Sequence, residues 1–218
     1  MKKFLLLLIL GGVHSVAFGQ GYSLQMNQEK VEFGENKKMA YSTSFELPFE
    51  VIKKEWWKYI KRYALLYNKR THYENKILAK KSQSSTDIYF YSIFSNKSDN
   101  PTLSIALDDN EVIKPNIILY NQYLKDLLLD FKIELYSSHI QSKVDKSEKT
   151  SLKVSSRIER LTQDNQKLES SKAKKNASLT AIKKRIDSNN ALIEGYRIEL
   201  FVYQKEIDRL KNDLGRIK

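Results

Sequence analysis

The sequence predicts an α+β protein: a small antiparallel sheet packed with helices, followed by a long C-terminal coiled-coil helix, continuous or folded back as a hairpin. Three observations predict it. Met39, Tyr41, Thr43, Phe45 and Leu47 recur at every second position, the period of a half-buried strand. Pro48 then shifts the apolar spacing to three and four. From Ile158 to Ile217 a 3-4 alternation runs through eighteen positions without a slip, and fourteen of these are apolar or tyrosine. That is the signature of a coiled coil.

The 218 residues divide by pattern into a signal peptide (1–19), an α+β head (20–142) and a coiled-coil rod (143–218). Lys2 and Lys3 supply a positive n-region, and Phe4 to Leu10 is an unbroken apolar run extended by Gly11, Gly12 and Val13. Ala17-Phe18-Gly19 places small residues where a signal peptidase reads, so cleavage is expected after Gly19. The run is too short to span a bilayer, and no later apolar stretch approaches about 18 residues. A periplasmic or secreted protein with no membrane span after cleavage is expected. The chain has no cysteine, which excludes a lipobox, disulfides, thiol chemistry and cysteine-based metal sites.

In the head, residues 20–28 carry no clear pattern and are expected to be loose. Val31 and Phe33 alternate with charges, Gly34-Glu35-Asn36 reads as a turn, and the alternation from Met39 to Leu47 completes a hairpin or loop-joined strand pair. Pro48 suits the first turn of a helix, where a missing N–H costs nothing. Phe49, Ile52, Trp56, Ile60 and Tyr63 follow at helical spacing, predicting an amphipathic helix over 48–65 with Trp56 in the core and Trp57 on its flank. Three strands are predicted next, over 74–81, 88–94 and 102–107, separated by polar joints. Strands adjacent in sequence usually pair, so an antiparallel sheet with helices on one face is expected. Asp108-Asp109-Asn110-Glu111 lacks the spacing of a calcium loop and reads as an exposed turn.

No proline follows Pro115, and Asn116 is a plausible N-cap. Ile117, Tyr120, Leu124, Leu127, Leu128, Phe131 and Leu135 form an apolar face broader than a coiled-coil seam and suited to packing on the sheet. The seam itself is Ile158, Leu161, Leu168, Leu179, Ile182, Ile186, Ile193, Leu200, Ile207, Leu210 and Leu214, with Asn165 and Asn189 as polar register positions. Its unbroken phase favours one continuous helix pairing with another chain. Lysines at two successive seam positions, Lys172 and Lys175, and the turn-like Asp187-Ser188-Asn189-Asn190 argue for a hairpin.

Charge is uneven. The whole chain carries 38 basic and 26 acidic residues, a net +12. Residues 143–190 hold 13 basic against 6 acidic. The densest group is Lys172, Lys174, Lys175, Lys183, Lys184 and Arg185, a candidate contact for an anionic partner such as lipid head groups, polysaccharide or an acidic protein. The histidines past the leader, His72 and His139, fall in different elements, and no phosphate loop, nucleophile elbow or HExxH occurs. No catalytic, cofactor-binding or metal-ligating residue is assigned, no cofactor is expected, and an enzyme is not expected.

The strand ending in a proline-led helix, Phe45-Glu46-Leu47-Pro48 into Trp56-Trp57, combines with a signal peptide, a three-stranded meander and a Lys-rich coil. In this plan the chain resembles a family of uncharacterised secreted proteins found mainly in Bacteroidota-type bacteria. The resemblance spans nearly the full chain and implies fold and location, not an activity. The expected function is a non-enzymatic exported envelope protein with a structural or protein-interaction role through its coiled coil. Its expected partner is itself or another coiled-coil protein. The alternative is a module that binds an anionic ligand through 172–185. No nucleic-acid partner is expected.

Overall fold

The computed structural model describes residues 22–82, 86–96, 100–109, 116–172 and 179–217, without the side chains of 81, 82 and 172. The signal peptide expected over 1–19 therefore lies outside the described residues. The order of elements is β1 (Asn27–Phe33), β2 (Asn36–Ser44), α1 (Phe49–Ile60), β3 (Ala64–Asn68), β4 (Tyr73–Ile77), α2 (Ala79–Ser82), β5 (Ile88–Ser95), β6 (Thr102–Leu107), α3 (Ile117–Lys172) and α4 (Leu179–Ile217). The fold is α+β. Its six strands form one antiparallel sheet in the order β1-β2-β6-β5-β4-β3, and the long C-terminal helices pack together.

Strand alternation sorts the side chains onto two faces. Phe45, Ile77, Ile88, Phe90, Leu103, Ile105 and Leu107 join one buried cluster with Ile52, Trp56 and Ile60 of α1 and Leu124, Leu128 and Phe131 of α3. Trp56 is fully buried, edge-on to Phe131 with ring centres 5.0 Å apart. Trp57 sits half-buried at the margin, edge-on to Tyr73 at 5.8 Å.

The second face has a smaller cluster of Phe33, Ala40, Tyr91 and Ala106. Here the β1–β2 hairpin curls over the sheet. Phe33 reaches Tyr91 on β5, three strands away, with ring centres 5.6 Å apart. Gly34 opens the two-residue hairpin turn with a φ of 64°, a left-handed conformation that glycine adopts without penalty. A Cβ there would also meet the ring of His72 at 3.3 Å, so the close approach to the β3–β4 turn needs glycine too.

Three local expectations differ from the structure. The helix predicted to 65 ends at Ile60, and Ala64–Asn68 is an edge strand. Tyr63, three residues after Ile60, prolonged the apparent helical stripe, but it lies in the connecting turn, where its N–H bonds the Ile60 carbonyl. Residues 22–26 are not loose. Tyr22, Leu24 and Met26 alternate inward onto the main core. The strand predicted over 74–81 stops at Ile77, and its last residues turn into α2, whose Ala79 N–H bonds the Asp87 carboxylate at 2.8 Å.

The acidic cluster is also more engaged than an exposed turn. Lys38 bridges Asp108 and Asp109, and the Tyr91 hydroxyl donates to Asp108 at 2.7 Å. The bond from Lys38 holds the Asp109 carboxyl below the usual carboxylate range, against a smaller opposing effect of burial. Asn110 and Glu111 lie outside the described residues.

The rod is the main departure from the preferred reading. It is not one continuous helix. Cross-helix pairs run from Asn189–Asn165 through Tyr196–Arg157 to Lys211–Glu148, so numbers rise on α4 as they fall on α3. The two helices are antiparallel. At the base, Ile207, Leu210 and Ile217 enter the same core cluster as Tyr136, Ile140 and Val144. An antiparallel pair needs a heptad on each helix but no common phase through the bend, so the unbroken register did not require continuity.

Candidate functional site

The paired helices α3 and α4 continue past the core that they share with the sheet. Core residues shared with the head end at Val144 on α3 and Ile207 on α4. Beyond Val144, α3 continues to Lys172, about 40 Å at 1.5 Å per residue.

The predicted seam residues line the contact between the two helices. Ile186, Ile193, Ile207 and Leu210 are buried, and Ile158, Leu161, Leu168, Ile182, Leu200 and Leu214 are half-buried. Leu179 is the exception at 61% exposed, because it begins α4. The seam therefore closes within one chain.

Asn165 and Asn189 meet in this seam. Asn189 Nδ2 donates to Asn165 Oδ1 at 2.8 Å, and Asn165 Nδ2 donates to Asn190 Oδ1 at 2.8 Å. A sliding of one helix by a turn would leave these amides unpaired, so the trio fixes register. Asn189→Leu alone is expected to cost about 1 kcal/mol, and Asn165→Leu with Asn189→Leu to recover it, because both amides then leave together. Thermal unfolding of Asn189→Leu, Asn165→Leu and the double variant checks this; a double variant less stable than both singles contradicts it.

The basic stretch divides. Lys183, Lys184 and Arg185 are exposed on the first turns of α4. Arg185 approaches Asp164 at 3.8 Å across the hairpin, so part of its charge is balanced. Lys174 and Lys175 lie outside the described residues, as does the Lys172 side chain.

Elsewhere the ionisable groups are largely committed. A cleft of about 200 Å³ between α1 and α3 is lined by Glu55, Lys58, Tyr59, Arg62, Phe131 and Glu134 among others. Within it Lys58 bonds Glu55 at 2.7 Å, Arg62 bonds Glu134 at 2.7 Å, and the guanidinium covers the Tyr59 ring at 4.6 Å. Among the described residues no three His, Asp or Glu side chains converge to hold a metal ion, and no helix is long and apolar enough to cross a membrane. His72 lies in the β3–β4 turn and His139 on α3, so the fold does not bring them to one element.

One group escaped the sequence reading. Lys132, on α3, is fully buried. Its ammonium donates to Thr43 Oγ1 at 2.6 Å, and that hydroxyl donates to the Gln25 carbonyl at 2.8 Å. The Phe45 and Tyr136 rings flank it at 5.2 and 5.7 Å. Burial lowers its pKa to about 8, opposed by the Glu46 carboxylate. Tyr136 in turn donates a short bond to Glu46, and Tyr22 packs on its ring at 4.5 Å. The signal was the four-residue spacing Leu128, Lys132, Tyr136, Ile140, which continues the apolar face through a lysine.

Comparison with protein-family models finds no match to this chain, and neither the curated proteins nor the solved structures yield one.

Proposed function

We propose that this is an exported, non-catalytic binding protein of the bacterial envelope, whose helical hairpin presents a basic end to an anionic partner. The observation that carries the reading is the hairpin itself. Because α3 and α4 satisfy each other's seams, the coil needs no second chain to cover it, and its bend falls within the most basic part of the sequence. Exposed Lys183 and Lys184 stand there, far from the sheet. The signal-peptide pattern over 1–19, with its apolar run from Phe4 to Leu10, supports export, and the absence of cysteine suits an envelope compartment without disulfide dependence. The sheet domain serves as the base that holds the hairpin outward.

Binding of this kind is electrostatic and salt-sensitive, since the energy comes from charge contact and counterion release rather than from a shaped pocket. The purified protein is expected to sediment with phosphatidylglycerol vesicles, or to be retained on a sulfated polysaccharide column, at low salt and to be released at high salt. A variant with glutamine at Lys172, Lys174, Lys175, Lys183, Lys184 and Arg185 is expected to lose most of this retention. Retention unchanged in that variant, or no retention of the unaltered protein on either support, rejects the proposal.

A further inference from the structure

The seam faces inward, yet α4 also carries apolar residues on the opposite side. Ile198, Phe201 and Val202 are 62%, 60% and 44% exposed, and they lie within little more than one turn. At 100° per residue they centre on the side of α4 turned away from Ile193, Leu200 and Ile207, so α3 cannot cover them. Singly exposed apolar residues are ordinary, but three contiguous ones on a straight helix are a contact surface waiting for a partner.

The flanking residues say which partner fits. Along this stripe Asp187 and Glu194 precede Ile198, whereas Lys205 and Arg209 follow it, and all four are exposed. A second α4 laid antiparallel about Ile198 sets Asp187 level with the partner copy's Arg209 and brings Glu194 within a turn of its Lys205. A parallel copy would stack like charges.

We infer that the outward face of α4 is a self-association surface on which a second copy of this chain docks antiparallel about a two-fold axis at Ile198. The contact is isologous: Ile198 meets its counterpart on the axis, the two Phe201 rings share one flank, and Asp187 and Glu194 of each copy face Arg209 and Lys205 of the other. The arrangement lays the four helices side by side, with the two α4 helices inside and the two α3 helices outside. It does not depend on the anionic reading of the hairpin bend, which uses different residues.

The absence of native cysteine permits a direct test of the register. Ile198→Cys places the new thiol on the two-fold axis, whereas Leu152→Cys, also exposed, lies on the side of α3 remote from α4. On mild oxidation of the purified full chain, Ile198→Cys is expected to form a covalent dimer in high yield and Leu152→Cys only a trace. Sedimentation equilibrium of the unaltered protein is expected to show a monomer–dimer equilibrium, weakened about thirtyfold by Phe201→Glu, the scale of losing a buried aromatic anchor. Circular dichroism confirms that Phe201→Glu keeps its helices, as an exposed position should. Combining Glu194→Lys with Lys205→Glu is expected to restore association that either single reversal weakens. A monomer at every concentration, or equal oxidation of the two cysteine variants, overturns the inference.

Discussion

Ile193→Asp is expected to detach α4 from α3 and to lower stability by about 4 kcal/mol, while Leu179→Asp changes it by less than about 0.5 kcal/mol. Both residues occupy equivalent positions in the 3-4 repeat, so the sequence treats them alike. The structure separates them: Ile193 is 7% exposed and Leu179 is 61% exposed. By the register of Asn189 with Asn165 and Tyr196 with Arg157, Ile193 lies level with Leu161. An aspartate there forfeits the apolar contact and buries a carboxylate among aliphatic side chains without a counter-charge. Helices of this length depend on tertiary packing rather than intrinsic propensity, so the distal part of α4 should lose its structure. Thermal unfolding followed at 222 nm, with limited proteolysis mapping the first cut to 179–205, checks the outcome. The Phe201→Glu background weakens self-association, and at concentrations where that variant is monomeric the melting temperature should not vary with protein concentration, because the seam is intramolecular. Equal destabilisation by the two substitutions, or a concentration-dependent melt in that background, contradicts an intrachain hairpin.

The contrast shows which features the sequence encodes locally. Period-2 and period-3.6 patterning found β1, β2, β5, β6, α1 and the helical character of the C-terminal third, though not its division into α3 and α4, because each buries one face against one neighbour. β3 was hidden because Ala64 and Leu65 read as the end of a helix and Leu66 and Tyr67 were left without an element until the Lys69–His72 turn is recognised, where Arg70 adopts a positive φ. The choice between a hairpin and a continuous helix stayed open for a different reason. A heptad specifies which face is apolar but not which chain covers it, and Asp187-Ser188-Asn189-Asn190, though rich in turn residues, lies inside α4, where Asn189 is needed for its amide. The strongest clue was the charge at Lys172 and Lys175, a local conflict with the seam. The outward stripe on α4 was legible in the spacing of Ile198, Phe201 and Val202, but the dominance of the inward seam concealed it.

Lys132 gives the second large effect, and it is one of pH. Its ammonium is flanked by two aromatic rings and held by one hydroxyl, and burial brings its pKa to about 8 from an ordinary 10.5. A lysine with a depressed folded-state pKa binds fewer protons when folded than when unfolded between those two values. Stability therefore rises with pH across that window and is lowest below it, where the folded protein must carry a buried cation. From pH 7 to pH 9.5 this group should add about 2 kcal/mol to the free energy of unfolding. Above pH 10 the gain is opposed, because burial raises the pKa values of Tyr59, Tyr91 and Tyr136 and their unfolded counterparts ionise first. Lys132→Met keeps the length of the side chain and removes the charge. Its advantage over the unaltered protein should be largest near pH 7, on the order of 1–3 kcal/mol, and should shrink by about 2 kcal/mol by pH 9.5. Thr43 keeps its bond to the Gln25 carbonyl in that variant, so the strap over residues 22–26 retains its anchor. Urea unfolding of both proteins at half-unit pH steps measures the difference directly. Parallel curves mean that the ammonium reaches water and that its burial does not govern stability. Converging curves mean that α3 spends stability on a lysine at this position, and Thr43 and Tyr136, which hold it, become the next residues to vary.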